Sequence, residues 1–482
     1  MDLRDYQVRA IEGIRSRIRA GKKRVLLVSP TGSGKTVTAA EVIRSAVSRG
    51  TKVVFLAHRR ELINQCSAKL DSFGVEHGII QGSHPRYRPW EPVQVASVQT
   101  LRKRERKPEA QLIVVDEAHH ARAATYERIF AAYPQAPILG LTATPWRTDG
   151  KGLGDLFEDV VVAATPAELV EQGHLVPCDG YAFDAPDLSK VKVTAGDYDE
   201  GELGELMSGT KLVGNIVQQW LAHAGGVRTV VFAVHVAHSK QLVEQFRASG
   251  VAAEHVDGEM PVEEREAILA RLKSGETRVV SNCQILTEGW DLPELGCVIM
   301  ARPTKSVGLY LQCVGRGLRP APGKLVARLH DHAGCAFEHG LPTDDRDYSL
   351  EGSPVKKRGA KGAPAPSVRT CERCFALYPP ALEACPRCGL SNAKRLTQVI
   401  EVEGTAIPLS EVKTYVKTDE RSKRNLYMHL LRTAQEKGRK LGWAWHVYKD
   451  KFNEPPPREW LAEFQRSAVA AKASAAGEAV PA

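Results

Sequence analysis

The chain has 482 residues, 43% apolar and 26% charged, with a formal net charge of +9. These proportions are ordinary for a globular protein, and the length suggests about three domains. No apolar run approaches the roughly 18 residues of a spanning helix. The opening MDLRDYQVRAIEG carries charge where a signal segment needs an apolar stretch.

The charge is uneven. From Val355 onward there are 23 Lys+Arg against 13 Asp+Glu, while the preceding residues hold 43 against 44. A basic last quarter on a near-neutral body suits a polyanionic partner. It equally suits a solvated basic tail.

Short apolar runs then alternate with helical patterns. Val25–Pro30, Lys52–His58, Val93–Val98, Leu112–His119 and Ile138–Thr144 read as strands. They are nearly all apolar, as in parallel sheets covered on both faces. Stretches such as VTAAEVIRSAVSRG between them read as helices, which predicts a doubly wound α/β lobe over residues 1–165. Residues 166–227 are less patterned and read as a connection between lobes. Alternation resumes over 228–345, with strands at residues 228–234, 251–258, 277–282, 296–302 and 325–331, predicting a second α/β lobe. Residues 346–368, rich in Gly, Pro, Ala and Lys, read as a flexible linker. A cysteine cluster at 369–392, a basic module at 393–466 and an Ala-rich disordered tail at 467–482 complete the reading.

Within the first lobe, SPTGSGKT (Ser29–Thr36) follows a strand and precedes a helical pattern. Gly32 and Gly34 let the backbone wrap phosphates, and with Thr31 and Ser33 present N–H groups at a helix N-terminus. Lys35 reaches the β- and γ-phosphates, and Thr36 ligates Mg²⁺. LIVVDEAHH ends a later strand in two carboxylates. Asp116 is placed to hold that Mg²⁺, and Glu117 to deprotonate an attacking water.

Four cysteines, Cys371, Cys374, Cys385 and Cys388, form two Cys-x-x-Cys pairs. This set suits a structural, tetrahedral Zn²⁺ site with every ligand position filled. The reading makes this ribbon a metal-held anchor, separate from the lobes, for the module that follows it. The six other cysteines are scattered, as reduced thiols in a cytoplasmic protein would be. In LGWAWHVYKDKFNEPPPREW (Leu441–Trp460) aromatic and basic residues interleave. That pattern serves base stacking or the core of a small helical domain.

The motifs of residues 1–335, taken in order, resemble a superfamily 2, DEAH-box helicase-type motor. They are most similar to bacterial and phage enzymes related to XPB, UvsW and the motor subunits of type I and type III restriction systems. The resemblance implies two RecA-like lobes, ATP hydrolysis in the cleft between them, and movement on single- or double-stranded DNA, or on RNA. It also implies a bacterial or phage-infected host cytoplasm. LRDYQ implies that Gln7 reads adenine. FLAHRRELINQ implies that His58 and Arg59 lie near the tracked strand, and ASVQTL adds Ser97, Gln99 and Thr100. His119 with LTATP (Thr142, Ala143, Thr144) implies the coupling element. TEGWDLP supplies Thr287 for the strand, and Gly289 and Asp291 for the nucleotide. QCVGRGLRP supplies Gln312, Arg316 and Arg319. The two arginines, three residues apart, are expected on one helix face, where they would stabilise charge on a γ-phosphate. Other readings remain: an RNA helicase, a subunit whose ATP site is a binding switch, or the motor of a larger restriction, repair or replication complex. Glu411-Val412-Lys413 is a lone half of a nuclease motif, so cleavage would need another subunit.

Overall fold

The computed structural model describes residues 3–121, 123–147, 149–183, 186–194, 196–352, 368–392, 420–436, 440–452 and 454–466. The expected linker beyond Gly352, the first part of the basic module with its Glu411-Val412-Lys413 half-motif, and the C-terminal tail lie outside these residues. Two units are described separately, residues 1–395 and 396–482.

The first lobe is a seven-stranded parallel sheet. Its strands are β1 (Arg24–Val28), β2 (Val53–Ala57), β3 (His77–Ile80), β4 (Val93–Ser97), β5 (Leu112–Val115), β6 (Ile138–Thr142) and β7 (Asp159–Val162). Their spatial order is β3-β4-β2-β5-β6-β1-β7. Alternate residues serve opposite faces. Val25, Leu27, Val53 and Phe55 enter one core, with helices α1 (Asp5–Arg19), α2 (Lys35–Val47) and α3 (Arg60–Ser72). Leu26, Val28, Val54 and Leu56 enter the other. This two-sided burial is why the strands read as unbroken apolar runs.

The second lobe adds β8 (Cys178–Ala182), then, beyond a small hairpin of β9 (Val193–Thr194) and β10 (Asp197–Tyr198), β11 (Thr229–Phe232), β12 (Ala253–Val256), β13 (Val279–Asn282), β14 (Cys297–Met300) and β15 (Ala327–Asp331). The sheet order is β12-β13-β11-β14-β15-β8, again parallel. The stretch expected to be mere connection therefore supplies an edge strand. CDGYA escaped the sequence reading because a Gly and an Asp interrupt its apolar pattern.

Two further expectations are corrected. Residues 346–352 are not linker: they return to the first lobe. Tyr348 stacks on Trp146, ring centroids 5.7 Å apart. The Leu350 carbonyl accepts from the Gly154 N–H at 3.0 Å, and the Ser349 carbonyl from the Trp146 indole at 3.2 Å. A Cβ on Gly152 would lie 1.8 Å from the Leu350 oxygen, so this strap fits only against glycine.

The ribbon is not separate either. The Phe375 carbonyl accepts from Ala182 N–H of β8 at 3.1 Å. Val368 and Leu377 share a small core with Ala182 and Ala336, and Arg387 covers Tyr181 and pairs with Asp179. An open sheet edge is a liability, and the ribbon covers this one.

In the second unit, helices Glu420–Glu436, Gly442–Phe452 and residues 458–466 pack around Tyr427, Leu431, Ala444, Tyr448, Trp460 and Phe464. Tyr448 and Trp460 are therefore core rather than stacking platforms. Among the described residues no helix is long and apolar enough to cross a membrane.

Candidate functional site

The loop after β1 turns on Gly32 and Gly34, at φ of 87° and 84°, a region costly for other residues. Gly34 caps α2, so the helix N-terminus opens directly onto the loop. Ser33 hydroxyl donates to the Pro30 carbonyl at 2.6 Å. Two residues of α1 brace the loop: Tyr6 hydroxyl donates to the Ser33 carbonyl, and the Gln7 amide lies 3.4 Å from the same oxygen. Gln7 is buried here, its amide turned to the loop backbone. Lys35 Nζ sits on the Ser29 carbonyl at 3.3 Å, and Thr36 follows it in the first turn of α2.

Asp116 and Glu117 stand just beyond the C-terminal end of β5. Asp116 Oδ1 accepts from the Glu117 N–H at 3.0 Å. Burial pushes the Asp116 carboxyl up to about 7, the Glu117 charge adds to this, and Lys35 opposes it. A buried carboxylate so disfavoured beside a second one, facing Lys35, fits a divalent cation, which would restore its charge. Glu117 takes the left-handed conformation, φ 44°, a cost of about 1–3 kcal/mol for a residue that is not glycine. Its Oε2 is buried without a hydrogen-bond partner and lies 3.4 Å from His119 Nδ1. His119 also meets Thr142 hydroxyl at 3.0 Å, and that hydroxyl donates to the Thr144 carbonyl. Ala143, between them, is buried.

The second lobe meets the loop through the segment after helix Val307–Gly315. A Cβ on Gly315 would lie 2.6 Å from Thr31 Cβ, and one on Gly32 would lie 3.1 Å from Arg319 Cγ. The two arginines do not share a helix face. The helix ends at Gly315, and a turn through Gly317 sends them apart. Arg319 rests against the phosphate loop and pairs with Asp291; burial lowers its pKa to about 10. Arg316 turns into its own lobe, donating to the Thr287 and Trp290 carbonyls at 2.6 Å each. Gly289 is not brought to the loop. It abuts α3, where Gln65 donates to its carbonyl at 2.7 Å.

The strand-side residues gather at the ends of β2 and β4, which pair Ala57 with Ser97. Ser97 hydroxyl donates to Gln99, and the Gln99 amide to the His58 carbonyl. Thr100 hydroxyl lies 3.5 Å from Gly82 N–H.

One residue that the sequence reading passed over stands among these groups. Glu288, with a side chain only 2% exposed, faces His58 Nε2 at 3.2 Å, Arg59 Nε at 3.3 Å and His120 Nε2 at 2.6 Å. His119 at 3.7 Å and Gln312 at 3.3 Å complete its surroundings. Burial opposes its charge, yet the neighbouring His119, His120 and His58 outweigh that and hold the carboxyl far below the usual range. Burial likewise opposes charge on His120, and Glu288 overcomes it, raising the imidazole's pKa. His58, His120 and Glu288 have the ligand types of a metal site. The Arg59 guanidinium and the His120–Glu288 bond instead make this an ion cluster. The doubled histidine of DEAHH was the available sequence signal.

In the ribbon, Cys371 and Cys388 sulfurs lie 3.5 Å apart, and Cys374 and Cys385 sulfurs 3.7 Å. A tetrahedron with Zn–S near 2.3 Å has sulfurs about 3.8 Å apart. The knuckles match: Phe375 N–H donates to the Cys371 carbonyl and Gly389 N–H to the Cys385 carbonyl, each at 2.9 Å. Phe375 takes φ 58° where the second knuckle has glycine, and its ring packs 5.5 Å from Phe183 of the second lobe.

Residues 1–147 match the family described as type III restriction enzyme, res subunit, and residues 212–321 match the helicase conserved C-terminal domain. A 51.5 kDa protein of a Lactococcus phage (isolate 7-9) is 34% identical over 369 residues, covering 76% of this chain and 77% of its own. A Saccharomyces cerevisiae protein named as an ATP-dependent helicase, IRC3, is 33% identical, covering 69% of this chain; the chain spans 52% of its length. A Sulfurisphaera tokodaii protein named DNA 3'-5' translocase XPB2 is 25% identical, over 66% of this chain and 79% of its own. With paired parallel-sheet lobes, a phosphate loop in the first and a family match on each, the chain belongs to the superfamily 2 helicase and restriction-motor family of ATP-dependent enzymes.

Proposed function

We propose that the chain is an ATP-dependent DNA helicase or double-stranded DNA translocase. The observation that carries this reading is Arg319 of the second lobe lying against Gly32 of the phosphate loop. The hydrolytic site is complete only when both lobes contribute, so each ATP cycle becomes a lobe movement. Lys35 and the α2 N-terminus bind the phosphates. Thr36 and Asp116 hold Mg²⁺, which supplies charge neutralisation at the phosphates. Glu117 accepts the proton of the attacking water, and Arg319 stabilises the charge that develops. DNA rather than RNA follows the translocase named above. ATP turnover measured with single strands, duplexes, forks and RNA tests this. Stimulation by DNA and not by RNA is expected. Stimulation by RNA alone would turn the reading to an RNA helicase, and none by either would overturn the motor.

The four cysteines hold one structural Zn²⁺. Because the ribbon packs on β8, Cys385→Ser should reach beyond the ribbon. Losing a contact worth about 2 kcal/mol, the burial of one large apolar side chain, lowers the melting temperature by about 4–8 °C in a lobe this size. Metal analysis should give one zinc per wild-type chain. A zinc-free wild type, or a Cys385→Ser chain melting as wild type does, would refute the buttress.

A further inference from the structure

We propose that Glu288 is a positioning residue that relays strand binding to the hydrolytic base, with His120 as its fixed partner across the cleft. This rests on the motor reading above.

Glu288 belongs to the second lobe, in the segment after β13. Among the described residues, the basic side chains within 4 Å of it belong to the first lobe: His58 and Arg59 after β2, His119 and His120 after β5. One carboxylate thus joins the proposed strand side to the proposed phosphate side. The chain of contacts is short. Arg59 is 3.3 Å from Glu288, Glu288 is 3.7 Å from His119, and His119 is 3.4 Å from Glu117. Gln312 closes a second branch, 3.3 Å from Glu288 and 3.0 Å from His119.

Two features make the carboxylate responsive rather than inert. Its Oε2 is buried without a hydrogen-bond partner and faces His58 Nε2 at 3.2 Å and Arg59 Nε at 3.3 Å. Its Oε1 takes the hydrogen bonds of His120 and Gln312. The side chain therefore has a loosely held oxygen toward the strand and a tightly held one toward the base. A strand phosphate can take Arg59 through two oxygens, which the single carboxylate oxygen it shares with His58 cannot. Once it draws them away, the Arg59 guanidinium and the His58 imidazole leave Oε2, and Glu288 turns its charge to His119. Pulled toward Glu288, His119 moves off Glu117, and the base is released toward water. His120 keeps the carboxylate anchored throughout, so the displacement reaches His119 instead of dissipating.

Glu288→Gln preserves size and removes the charge; His120→Gln removes the cationic partner. Turnover and the KM for ATP are measured with and without duplex DNA, with DNA affinity in parallel. The stimulation factor should fall about tenfold in each variant, a size usual for linked sites, while unstimulated turnover and the KM for ATP stay within about twofold. The double variant should be no worse than either single one, because both act on one path. A merely structural role would lower basal and stimulated turnover together and would overturn the relay. So would wild-type stimulation in Glu288→Gln, or additive losses in the double variant. A wild-type chain that no nucleic acid stimulates would overturn the motor reading, and the relay with it; that result is read from wild type alone.

Discussion

With Glu117 replaced by Gln, ATP still binds while stimulated turnover falls by about 10²–10⁴-fold, the usual worth of a general base. The amide keeps the shape and can still meet His119, but it cannot take a proton from water. The strained backbone of Glu117 favours this role. Its carboxylate lies 3.4 Å from His119 Nδ1, while the Asp116 carboxylate takes the Glu117 N–H, so the two acids have different surroundings. Single-turnover hydrolysis beside nucleotide binding separates the two effects. A Glu117→Gln chain turning over at the wild-type rate would remove Glu117 from the reaction.

Arg319→Ala should lower turnover by about 10³–10⁵-fold, the range for an arginine that meets a transferring phosphoryl group. The KM for ATP should change little, because the guanidinium matters most as charge builds in the transition state. Arg316 gives a contrast. Its guanidinium is committed to the Thr287 and Trp290 carbonyls, so Arg316→Ala should show first as a lower melting temperature. If Arg319→Ala raised only the KM for ATP, with turnover intact, it would act in ground-state binding alone.

Much of the fold was legible because the central strands are apolar on both faces, a pattern few other elements share. The edges were not. β7 is half exposed, β3 is four residues long, and β8 carries Gly180 and Asp179. The phosphate loop and the acidic pair were legible because each set of residues is contiguous in sequence. Glu288 was not, because His58 and His120 lie 230 and 168 positions away and only the doubled histidine of DEAHH hints at one of them. The arginine pair misled for a related reason. Three-residue spacing implies a shared face only while a helix continues, and glycines at 315 and 317 end it. In the aromatic segment, helical spacing described a buried face as well as it would an exposed one.

The strap of residues 346–352 gives the motor a second tether. The lobes are already joined by the chain between β7 and β8; the return through Tyr348 and Leu350 fastens them again. Two bodies on one tether can swing about any axis, whereas two bodies on a pair of tethers open like a book along one spine. While Tyr348 stays stacked on Trp146, opening of the cleft has to be accommodated by both tethers. The strap then bears on lobe movement from outside the nucleotide site.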